Sequence, residues 1–168
     1  TTSPSAVQSP SGTPQQAQSA TTPGTLTLRV ASLNPGSALP DIYTCKGTME
    51  SPQVSWSGIP AGTKSLVLLL DDPDAPNGLY THWLVYNIPP RDGELAQGQT
   101  NAKVLSNEAQ QGEGSNGFRG YNPPCPPPTG SSHRYIFRLY ALARYLALPD
   151  ADRAASDQAL AGQTIANT

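Results

Sequence analysis

At 168 residues, with 13% charged and a net charge of −2, the chain is the size of one domain and offers no cationic field for nucleic acid. Its 15 glycines and 18 prolines favour turns and strands over long helices, and no apolar run reaches the ~20 residues that span a bilayer. Cys45 and Cys125 are the two cysteines; without Cys-x-x-Cys pairs or supporting histidines they do not form a zinc pattern, and a disulfide requires the fold to bring them together.

Residues 1–24, "TTSPSAVQSPSGTPQQAQSATTPG", hold no charge and no aromatic ring. Such a segment buries too little apolar surface to offset its ordering entropy, so it reads as a low-complexity tail or linker. The same composition suits an O-glycosylated extracellular stalk, and an extended segment of this kind can also add to a sheet edge of a neighbouring subunit, giving a homo-oligomer. The chain opens at Thr1 and not at methionine, as a mature or trimmed product would. Together these features place the protein in the secreted or cell-surface class, with a cytoplasmic setting as the alternative.

The domain proper is read as residues 25–168. "TLTLRV" (25–30) alternates with period two, the mark of a half-buried strand, and "NPGSALP" breaks it. "QVSWSGIP" (53–60) is a short strand. "SLVLLL" (65–70) is apolar at nearly every position and too short for a helix, so it is predicted as a central strand buried on both faces. "HWLVYNIP" (82–89) and "HRYIFRLYAL" (133–142) are the next strands. Residues 90–132 contain one short apolar candidate, "AKVL" (102–105), and otherwise read as a long functional loop. After Pro149, "DADRAASDQALAGQTIA" (150–166) is predicted as the one helix, with Asp as its cap and Gly162 weakening or ending it.

The chemistry concentrates where apolar runs stop. "LLLDDPDAP" ends in Asp71, Asp72 and Asp74. A calcium loop starting at Asp72 fails, because the fifth and sixth positions are Pro76 and Asn77 and the twelfth is Trp83. The two histidines, His82 and His133, each open a strong strand, and residues at the same end of neighbouring strands can converge. Two imidazoles and the Asp72 carboxylate then fit a transition-metal site, a small anion pocket, or strand caps at the surface. A catalytic dyad lacks a nucleophile motif, and Cys125 sits among prolines with no activating neighbour. The five prolines between Pro123 and Pro128 form a rigid extended rim that leads into the His133 strand.

In this order and spacing, "DDPDAP", "HWLVYNIP" and "GYNPPCPPPTGSSHRYIFRLYAL" closely resemble the phosphatidylethanolamine-binding protein family. "YTCKG" and "SPQVSWSGIP" resemble its bacterial and archaeal branch, near the bacterial homologues of Raf kinase inhibitor protein. The resemblance runs from about Leu26 to Ala166. It implies a mostly β fold of two antiparallel sheets with a peripheral C-terminal helix, and a pocket for phosphate, acetate, cacodylate or phospholipid head groups. Carried over by motif, the ligand-binding residues are Asp72, His82, Pro126, Pro127, His133 and Tyr135. Tyr80 is a further aromatic of the rim, and Asp74 with Arg134 is a buried structural pair beside the site. The pattern departs at Lys46, where an acid is usual, and at Gly162-Gln163. Relatives continue past the position of Thr168, so a shortened lid is expected.

The function expected from these readings is non-catalytic binding of a phosphate-like anion or lipid head group, with no cofactor and no metal. Alternatives are a self-assembling extracellular protein and a protein inhibitor of a kinase or peptidase. The Asp72 carboxylate is expected to raise the affinity of both imidazoles for protons.

Overall fold

The structure is a computed structural model that describes residues 24–125, 132–147, 157, 160, 161 and 164–168. Among the described residues there are eight strands: β1 (Thr27–Val30), β2 (Val54–Ser57), β3 (Ser65–Asp72), β4 (Tyr80–Ile88), β5 (Gly93–Leu95), β6 (Gln110–Gln111), β7 (Ile136–Leu142) and β8 (Thr164–Asn167). They form two antiparallel sheets, ordered β1-β2-β5 and β6-β4-β3-β7-β8.

β3 is the centre of the larger sheet because its sequence allows nothing else. Leu66, Val67, Leu68, Leu69 and Leu70 are all fully buried. Strand alternation sends Leu66, Leu68 and Leu70 into the layer between the sheets, where they meet Val54, Trp56, Trp83 and Leu139. Val67 and Leu69 go to the opposite face, packed with Leu84, Tyr86, Leu142, Leu146 and Leu160. Each such side chain contributes roughly 1.5–3 kcal/mol of transfer free energy, so both faces must be covered.

Strands β5 and β6 lie inside the segment expected to be irregular, and Val104 of "AKVL" contributes only an isolated bridge to Gln110. The polar segment around β6 is organised by a buried side chain. Gln111 accepts from Trp83 Nε1 at 2.8 Å and donates to the carbonyls of Thr100 and Ala102 at 2.7 and 2.8 Å.

The expected helix over 150–166 is corrected at its end. Thr164–Asn167 is a strand paired with β7, and Thr168 exchanges two main-chain bonds with Leu139. An exposed row of donors and acceptors on the outer edge of β7 overrides the local helical preference of alanine. Asp157 and Leu160 are helical, with Ala161 N–H bonded to the Asp157 carbonyl; most of the remaining segment lies outside the described residues.

Cys45 and Cys125, 80 residues apart, form a disulfide with Cα atoms at 5.2 Å. Cys45 follows a short 3-10 turn, Asp41–Tyr43, and its N–H donates to the Pro124 carbonyl at 3.0 Å. The Tyr121 hydroxyl donates to the Tyr43 carbonyl at 2.6 Å, so the two segments are clipped together covalently and by hydrogen bonds. Gly47 closes the turn: any Cβ there would strike the Asp41 carbonyl oxygen. Replacing both cysteines by serine is expected to lower unfolding free energy by roughly 2–5 kcal/mol, because the bond removes a long-loop entropy from the unfolded chain. Urea unfolding of the two proteins checks this; equal midpoints would show that the hydrogen bonds alone hold the clip.

Candidate anion site at the end of the central strand

The site begins where β3 stops being apolar. Asp71 and Asp72 are consecutive, so they leave the strand on opposite faces. Asp71, fully buried, is met by Arg138 Nη1 at 3.1 Å and by the Thr81 hydroxyl at 2.9 Å. Asp72, 3% exposed, accepts from His133 Nδ1 at 2.7 Å through Oδ2, and from the Asp74 N–H at 2.8 Å through Oδ1. Both oxygens of Asp72 are therefore engaged. Its role is to fix the His133 ring, with Nδ1 as donor and Nε2 directed away from the carboxylate.

A β-bulge brings His82 to the same place. Leu70 faces Trp83 across the sheet, but Asp71 faces Thr81, so His82 is the extra residue on β4. Without the bulge, alternation would put His82 on the face opposite Trp83. With it, the ring meets Tyr135 edge-on at 5.5 Å and Tyr80 at 4.7 Å. Tyr135 packs on the core between the sheets, so His82 lies on that side too. His82 Nδ1 donates to the Asn122 carbonyl at 2.9 Å, and the Asn122 N–H donates back to the His82 carbonyl at 2.8 Å. Asn122 Nδ2 also donates to the Tyr80 hydroxyl at 2.7 Å. Neither Nε2 has a hydrogen-bond partner among the described residues.

Asp72 and His82 are thus brought together from two strands with His133 and Tyr135 from the segment leading into β7. Pro126 and Pro127 lie outside the described residues. Asp74 and Arg134 do pair, through a fork of 2.8 and 2.7 Å plus a main-chain bond of 2.9 Å. The pair is corrected in one respect: it is not buried, since the Arg134 side chain is 70% exposed. Hydrogen bonds from Arg134 hold the Asp74 carboxyl down at about 2. Asn122 was not singled out from sequence; its place directly before the proline run, at the end of "GYN", is the signal that could have found it.

Among the described residues no three histidine, cysteine or acidic groups are arranged to hold a metal ion. The positions a metal would take at both Nδ1 atoms and at Asp72 are filled by protein partners. Beside the site runs a hollow of about 1600 Å³. His133 and Tyr135 stand on its wall, and Asp72 and His82 do not line it.

The expectation that the carboxylate lifts both imidazoles is corrected for His82. Burial pushes its proton affinity below the ordinary 6.5, and this outweighs the Asn122 carbonyl and the Asp72 and Asp71 charges that oppose it. Burial, aided by the Asp72 charge, pushes the Tyr135 phenol up to about 12, so it stays a donor.

The sequence profile of the family described as Phosphatidylethanolamine-binding protein matches residues 30–168. A UPF0098 protein of Methanothermobacter thermautotrophicus is 40% identical over 141 residues, covering 83% of this chain and 92% of its own. The mycobacterial protein named "Putative lipoprotein LppC" is 42% identical over 124 residues; the match covers 74% of this chain and 59% of that protein's length. The crystal structure of a phosphatidylethanolamine-binding protein homologue from Chlamydia trachomatis superposes with a TM-score of 0.76 at 36% identity, over 86% of this chain and 93% of that one.

The depressed His82 fixes the sign of a pH effect. In the unfolded chain the ring takes up its proton near 6.5; in the fold it does so at lower pH. Between those values the unfolded state binds more protons, so this contribution is complete above about pH 6.5 and is lost as pH falls through the folded value. Asp74 acts in a separate window, below its ordinary 3.8. Urea midpoints are expected to hold above about pH 7 and fall toward about pH 5, and His82→Gln is expected to flatten that slope. A slope unchanged in His82→Gln assigns the effect to other groups.

Proposed function

Because the chain belongs to the phosphatidylethanolamine-binding protein family, we propose that it holds a phosphate-like anion or phospholipid head group, without turnover, between His82, His133 and Tyr135. The observation that carries this reading is the 2.7 Å bond from His133 Nδ1 to Asp72. It leaves Nε2 of that ring as the atom available to a ligand, next to a phenol that keeps its proton. His82 is held the same way by the Asn122 carbonyl. With Nδ1 already donating, each Nε2 becomes a donor once the ring is cationic, and a cationic imidazole beside a phenol donor suits a tetrahedral oxyanion.

A hydrolytic role for these histidines would need a nucleophile in reach, and the two cysteines are consumed in their disulfide. That bond and the lipoprotein name of one relative support a setting outside the cytosol. No described helix is long and apolar enough to cross a membrane.

Sulfate tests the reading, since its charge is constant across the working range. Calorimetric titration is expected to show affinity rising as pH falls from about 8 to 5, because the bound anion favours the cationic form of His82. His133→Ala is expected to weaken binding about tenfold or more, and Tyr135→Phe by several-fold, the scale of one charge-assisted and one neutral hydrogen bond. Affinity that is flat with pH and indifferent to His133 would remove the anion reading.

A further inference from the structure

β1 is an edge strand, paired with β2 on one side only. The register sets Arg29 against Ser55 and Val30 against Val54, and the Ala31 N–H continues it by donating to the Gln53 carbonyl at 2.9 Å. In an antiparallel ladder, residues that bond the partner alternate with residues that point both main-chain groups away. Thr27, Arg29 and Ala31 therefore face β2. The N–H and C=O of Leu28 and the N–H of Val30 face the open side, while the Val30 carbonyl is taken by the Leu33 N–H at 3.2 Å.

The hollow of about 1600 Å³ runs along this edge and is bounded across from it by His133, Tyr135 and Phe137. Its charge is reversed relative to the chain. Arg29, Lys46 and Arg134 stand on the wall, against Asp41 as the carboxylate among the described lining residues. Arg134 is committed to Asp74, but Arg29 and Lys46 are exposed and have no carboxylate partner among the described residues. An extended apolar polypeptide laid here would pair the three main-chain groups but leave the two cations unanswered. An extended acidic polypeptide answers both sets at once.

We propose that the open edge of β1 is a docking site for an extended acidic segment of a partner protein, which adds as a strand beside Thr27–Val30 and places carboxylates on Arg29 and Lys46. At ~3.3 Å per residue, β1 offers about 13 Å of edge, enough for about four partner residues. This goes beyond the anion reading: it shares the wall at His133 and Tyr135 and requires the donors of neither.

The test uses the full chain and a fluorescein-labelled, end-blocked peptide alternating valine and glutamate, followed by anisotropy and by amide hydrogen exchange. Binding is expected to weaken about tenfold in Arg29→Glu/Lys46→Glu, a double variant of exposed side chains. It is expected to weaken at least as much when alternate peptide nitrogens are methylated, and the Leu28 and Val30 amides are expected to gain protection. His133→Ala, which breaks the anion site, is expected to leave the peptide affinity within about twofold. Equal binding of the methylated peptide, or protection elsewhere with none at Leu28 and Val30, overturns strand addition. Self-association that ends on deletion of residues 1–23, with no peptide binding, makes a second copy the occupant and overturns the proposal.

Discussion

Two adjacent carboxylates end a strand that is buried on both faces, and the rest of the site is arranged around that constraint. Alternation forces Asp71 and Asp72 to opposite sides of the sheet, so one counter-group cannot serve both. Removing a carboxylate from water costs several kcal/mol unless it is paired and hydrogen-bonded. The segment on the β7 side supplies two partners of opposite parity, Arg138 for Asp71 and His133 for Asp72. Asp71 thereby ties the sheet to its outer face. Asp72 spends the same electrostatic requirement on orienting an imidazole. One sequence feature, the doubled acid, yields both a structural lock and an oriented imidazole.

His82 reaches the site by a different device. Burial opposes its protonation more strongly than the Asn122 carbonyl and the Asp72 and Asp71 charges favour it. The bulge on β4 turns it, and the Asn122 carbonyl holds it. The two rings are thus unequal. One is held by a carboxylate and the other by a neutral carbonyl. On the anion reading proposed above, this asymmetry would make His82 the ring that links binding to proton uptake.

The parts legible in the sequence are those where composition and periodicity agree. β3, β4 and β7 were readable because continuous apolar runs of strand length admit only a buried strand. The convergence of Asp72 and His133 was readable because each stands at the same end of its strand. Three features were not. β5 and β6 are short and mostly polar; β5 is held by pairing with β2, and β6 by Gln111, buried against Trp83 and two carbonyls, tertiary effects invisible in local pattern. The bulge that turns His82 leaves no mark in a window of residues, since it is a mismatch between two strands. Thr164–Asn167 follows an alanine-rich stretch, and only the open edge of β7 decides that it pairs as a strand. Local propensity is worth tenths of a kcal/mol per residue, and an unpaired buried ladder outweighs it.

The cysteines show how a distant bond becomes local. Cys125 lies three residues after Asn122, and the intervening Pro123 and Pro124 fix their own φ angles, so little slack separates the disulfide from the carbonyl that holds His82. On the other side, Cys45 is anchored by the turn that Gly47 permits and by the Tyr43 carbonyl that receives the Tyr121 hydroxyl. The clip therefore grips the segment on both sides of Asn122, at Tyr121 and at Cys125. An acceptor placed on a free loop would sample many positions and set the imidazole tautomer only part of the time. Pinned at both flanks, the same carbonyl holds Nδ1 as the donor throughout, which is the condition for Nε2 to face a ligand.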